Sequence, residues 1–148
     1  MAVKVTDTRP IDISIVPDTS AYATNDVIGG KLTFSPDAKK GIIQAVSICD
    51  DDNEGAQYVL WLFSVVTTTI ADNAPFAPVL ADLNQLMGRV TITTADYVTV
   101  NSLKSSHVGL SNQIEFNNNF EGYLVSTDTP TFAASKQVNI RLHIIGQN

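Results

Sequence analysis

The chain has 148 residues, 44% of them hydrophobic and 16% charged, enough for one globular domain with a real core. A net charge of −6 and nine scattered Lys and Arg residues exclude a general phosphate-binding surface, so no nucleic-acid partner is expected. The single cysteine, Cys49, excludes an internal disulfide and a cysteine-based zinc site; the polar start MAVKVTDTRP is no signal peptide, and no apolar run reaches membrane-spanning length, so the chain is expected to fold in a reducing cytoplasm with no membrane partner.

Residues 1–10 are polar and end in Pro10; they read as an N-terminal arm that is mobile in the isolated protein, ahead of a single domain over 11–148. Ile11, Ile13 and Ile15 alternate with Asp12 and Ser14, the period of a strand with one buried face. Asp18–Asp26 is a loop. Val27–Phe34 is the next strand, and Gly29-Gly30 predicts a bulge or close backbone approach rather than a phosphate cradle, since no GxGxxG and no helix follow. After the turn Ser35–Gly41, Ile42–Asp50 forms a third strand. One of its faces carries Ile43, Ala45, Ser47 and Cys49, small side chains that imply something packing close. Cys49 reads as a small buried hydrophobe, because its neighbours Asp50, Asp51 and Asp52 raise a thiol pKa rather than lower it.

Asp50–Gly55 (DDDNEG) is the most charged spot and reads as an exposed hairpin loop. Asp50, Asp52 and Glu54 are weak candidates for a calcium site, without EF-hand spacing; the solvated loop is the preferred reading, and no cofactor is expected. Gln57–Thr67 (QYVLWLFSVVT) is apolar on both parities, which predicts a central strand covered on both faces, with a buried helix as the competing reading. Pro78–Met87 is the one expected helix, with Pro78 at its first position and Gly88 as its stop. Arg89–Thr93 and Tyr97–Val100 read as strands about a Thr94–Asp96 turn. Asn101–Asn119 is polar and aperiodic and reads as a long loop, with room for a short strand at Gln113–Phe116; His107 within it reads as solvated. Phe120–Ser126 is a strand, Thr127–Ser135 a connection around Pro130, and Gln137–Ile145 a final strand. In that strand Val138, Ile140, Leu142 and Ile144 face in while Gln137, Asn139, Arg141 and His143 face out.

About eight strands separated by turn clusters, with one short helix and no βαβ alternation, predict an all-β protein. The expected fold is an antiparallel β-sandwich of jelly-roll or Greek-key type, with an open barrel as the fold alternative. Two histidines, one cysteine and no paired acidic motif supply no catalytic constellation. A glycosidase carboxylate pair meeting in space stays open, but with aromatics at 7% an enzyme is not expected.

Asp18–Phe34 (DTSAYATNDVIGGKLTF) resembles a recurring opening in small structural proteins of tailed bacteriophages, in which TSAY-x-x-x-D-V-I-G leads into a strand ending in an aromatic. ICDDD at Ile48–Asp52, LWLF at Leu60–Phe63, DNA at Asp72–Ala74 and FEGYLV at Phe120–Val125 also fit, so the resemblance spans most of the chain. It implies a virion structural protein made in the bacterial cytoplasm and carried on the capsid surface. There it would be a decoration (cement) protein, homotrimeric, with the major capsid protein as partner. On that reading the contact residues are Val3, Val5 and Arg9 of the arm, Tyr22 of the Asp18–Asp26 loop, Phe116 and Asn118 of the Asn101–Asn119 loop, and Phe76. Phe76 and Phe116 are expected to be exposed until an oligomer buries them. The alternatives are a tail or fibre component with a glycan-binding sandwich, and a stand-alone carbohydrate- or calcium-binding module.

Overall fold

A computed structural model describes residues 6–147, and Val3 and Val5 lie outside them. Ten strands run through the described chain: β1 (Thr6–Asp7), β2 (Ile11–Ile15), β3 (Val27–Phe34), β4 (Lys40–Asp50), β5 (Tyr58–Phe63), β6 (Leu86–Ile92), β7 (Tyr97–Val100), β8 (Leu103–Asn117), β9 (Phe120–Ser126) and β10 (Val138–Gln147). A four-residue helix, α1 (Leu80–Leu83), and a 3-10 turn at Thr94–Asp96 complete it.

The strands form two antiparallel sheets. One has the order β1-β10-β4-β8-β7, with β2 also on β10; the other has the order β3-β9-β5-β6. β2-β10-β4-β8 facing β3-β9-β5-β6 is the strand order of a jelly roll, so the predicted sandwich is present. Ile28, Leu60, Leu62 and Leu124 from one sheet meet Val46, Ile48, Ile140 and Leu142 from the other, all fully buried. The alternation read in Gln137–Ile145 is the alternation observed in β10.

β5 is covered on both faces. Its Tyr58, Leu60 and Leu62 enter the inter-sheet core, while Phe63 joins a second cluster with Val66, Ile70 and Tyr123 beneath the segment 64–78. Tyr123 Oη pins that segment by donating to the Thr68 carbonyl at 2.6 Å and accepting from the Ile70 amide at 3.1 Å. Gly29 and Gly30 have φ of 80° and 74° at an irregularity of the β3–β9 ladder, as the Gly pair predicted. A Cβ on Gly29 would run into the Ile15 side chain.

Four expectations are corrected. The helix expected over Pro78–Met87 shrinks to Leu80–Leu83, because Leu86–Ile92 pairs with β5 and ladder bonds outweigh a short helix with a costly nucleus. Gly88, expected as a helix stop, lies in β6, where a Cβ would come within 2.8 Å of Ile114. Asn101–Asn119 is not a loop: β8 fills most of it, pairing with β4 on one side and β7 on the other. Its periodicity is hidden by an outward-facing polar side and by an irregularity between Gly109 and Ile114, where the register shifts. Asp50–Gly55 is not a hairpin loop, since β4 and β5 lie in different sheets and the segment crosses between them. Of the expected arm, Thr6 and Asp7 face Gln147 and Gly146, and Arg9 lies 3.2 Å from Asp37.

Candidate functional site

The outer face of the larger sheet is where titratable side chains converge. Ser47 on β4 lies between His107 on β8 and His143 on β10. Its Oγ is 2.9 Å from His107 Nδ1 and 2.8 Å from His143 Nε2, and the two rings meet edge to face with centroids 5.0 Å apart. The sequence pattern separates them, placing His107 in a solvated loop and His143 as an isolated exposed residue. His107 is exposed and His143 half-buried, and the contact arises from pairings that no local pattern encodes. The one available signal was the run of small residues on β4. An extra residue there, Gln44, breaks the register between Ile43 and Ala45, turning Ile43 into the core and leaving Ser47 and Cys49 outside. What packs over the small side chain of Ser47 is the pair of imidazoles.

Beside the pair runs an open groove of about 590 Å³, lined by Asp12, Ser47, Cys49, Ser105, Asn139 and His143 among others. Arg141 clamps Asp12 with two bonds of 2.7 and 2.9 Å, and this hydrogen bonding holds the Asp12 carboxyl below its usual range. Cys49 is half-exposed rather than buried; partial burial, then Asp50 and Asp51, push its thiol up and away from nucleophilic character. Burial, the His107 ring and the Arg141 charge lower the proton affinity of His143. Ser47 Oγ and His143 have nucleophile–base spacing. Ser47 sits mid-strand with paired strands on both sides, so its own strand's amides face ladders rather than the groove.

The acidic crossover uses its carboxylates internally. Asp50 is fully buried, and its oxygens accept the amides of Asp52 at 2.8 Å and Gly55 at 2.9 Å; burial pushes its pKa up. Asp52 accepts the Ala133 amide at 2.7 Å, tying the crossover to the β9–β10 connection. Burial, then Asp52 and Asp50, raise Glu54. Among the described residues no three His, Cys, Asp or Glu side chains gather in a metal-binding group.

Three of the five described contact candidates, Tyr22, Phe116 and Phe76, are buried or half-buried. Tyr22 is 2% exposed: its ring packs edge-on to Phe132 and its hydroxyl donates to Asp72 at 2.7 Å, making it the anchor of its loop rather than a contact. Phe116 is 4% exposed and packs on Phe120 in the core, because it sits on an inward position of β8. Phe76 is half-buried against Trp61 and Tyr123. Asn118 is exposed, but its φ of 63° makes it the turn residue between β8 and β9. Arg9 remains exposed.

Large apolar exposure gathers instead around α1. Val79, Leu80, Leu83 and Leu86 are 49%, 74%, 41% and 39% exposed. Between Asn73 and Gly88 the only charged residue is Asp82, which is fully buried.

No protein-family model matches the chain, and no curated protein does.

Proposed function

We propose that this chain is a non-enzymatic structural protein of a tailed-phage virion, a decoration (cement) protein that docks on the major capsid protein and stabilises the lattice as a homotrimer. Two lines support this reading: the resemblance carried by Asp18–Phe34, and a jelly-roll strand order, an architecture used by viral capsid domains; the second is fold-level analogy. The observation that carries it is the uncharged apolar ridge Val79–Leu80–Leu83–Leu86. A freely soluble monomer gains nothing by holding such a cluster in water, whereas docking removes it. The partner surface moves accordingly, from Tyr22 and Phe116 to α1.

Quantifying the chain's peptides in purified virions against the major capsid protein tests this. Near-stoichiometric abundance is expected, and a Leu80→Asp/Leu83→Asp variant with unchanged circular dichroism is expected to lose binding to capsids stripped of the protein. Absence from virions would overturn the reading. Abundance of only a few copies would favour a tail or fibre component that binds glycan, for which the polar groove beside Ser47 is the specific supporting feature.

A further inference from the structure

His107 and His143 are the only two histidines in the chain. The fold brings them together on β8 and β10, either side of β4. Each aims one ring nitrogen at a single point, the Ser47 Oγ, from 2.9 and 2.8 Å. A hydroxyl has one proton, so one ring must donate its N–H there while the other accepts. Two imidazoles with ring centroids 5.0 Å apart are also close enough to share one cation.

We propose that His107 and His143 form a two-imidazole chelating site for a divalent transition-metal ion, with the Ser47 hydroxyl beside it. Imidazole suits copper, nickel and zinc, and copper(II) binds tightest in that series. Metal–imidazole bonds are about 2.0–2.1 Å long, and with ring centroids 5.0 Å apart both rings reach one ion seated beside the Ser47 Oγ by turning about their side-chain bonds. The proton on the donating nitrogen moves to the other nitrogen of its own ring, leaving two neutral ligands and no net change in charge on the protein. The rings are held in place by strands paired along their length, with β4 between β8 and β10. No third His, Cys, Asp or Glu joins them among the described residues, so water and the Ser47 hydroxyl complete the coordination from the open groove. Calcium and magnesium, which demand oxygen ligands, are not accepted here.

The test uses full-length protein without a histidine tag, titrated with zinc chloride and with copper(II) chloride at pH 7.5. One ion per chain is expected, with affinity at least tenfold weaker in His107→Gln and in His143→Gln. The copper(II) paramagnetic resonance spectrum is expected to show two nitrogen ligands in the native protein. Absence of binding, or binding unchanged in the double variant, would overturn the site and place any ion on the acidic crossover. A measurement on the native chain alone guards against misfolded variants. Zinc should shift the ring-proton resonances of both histidines together, and unmoved ring protons at saturating zinc would also overturn it.

Discussion

A carboxylate, not a leucine, is the buried side chain of α1. Asp82 accepts the Thr67 amide and hydroxyl at 2.7 and 2.8 Å and the Val79 amide at 3.2 Å, joining the helix start to the end of the β5 extension. Hydroxyl donation from Thr68, with the amide and hydroxyl of Thr67, holds its carboxyl well below the usual carboxylate range. Because the folded-state pKa is depressed, the contribution is fully present above the unfolded-state value of about 3.9 and is lost as pH falls through the folded one. Asp82→Asn is therefore expected to lower the thermal midpoint by a constant amount above about pH 5, and the gap to the native protein should close in acid. A pH series of melting curves for the two proteins measures this. Tyr58 is the opposite case. It is fully buried in the inter-sheet core, and its hydroxyl is, among the described residues, the one buried side-chain polar atom without a hydrogen-bond partner. Tyr58→Phe should raise stability by about 1 kcal/mol, read as a higher denaturant midpoint at unchanged slope. Neither role was legible in the sequence, because the partners of Asp82 and the surroundings of the Tyr58 hydroxyl are set by tertiary packing.

At the scale of elements, the legible strands were short apolar-rich runs bracketed by turn residues. β2, β3, β7 and β9 have the bounds read from the sequence, and β10 shows the predicted alternation, because each is an apolar-rich run between turn residues. β8 failed that test. Ser105, His107, Gly109 and Ser111 are polar or small on its outward side, and the shift of register before Ile114 erases the alternation. α1 failed for another reason. Val79, Leu80, Leu83 and Leu86 do fall at helical spacing, but that spacing records only that they share a side, and the side here faces water. The same four residues that misled the reading of the helix are those that support a docking ridge. The pair His107–His143 was invisible because its two members come from strands whose only link is β4 between them.

At the scale of the whole molecule, the class of fold was legible and its wiring was not. Turn clusters and strand periods announce a sandwich, yet β2 pairs with β10 across almost the full length of the chain, a contact that no window of residues contains. That same wiring sets how the protein answers to force. Thr6 faces Gln147, and β1 and β2 lie in succession along one side of β10. Tension between residues 6 and 147 pulls across this ladder rather than along it, so the pairs separate in succession, like a seam opened from its end, until the Arg141–Asp12 clamp is reached. Held at these two positions in an optical trap, the protein should first lengthen in a small step at low force; a first rupture that takes the whole sandwich at once would contradict this. A load entering through the sheet faces meets no such seam.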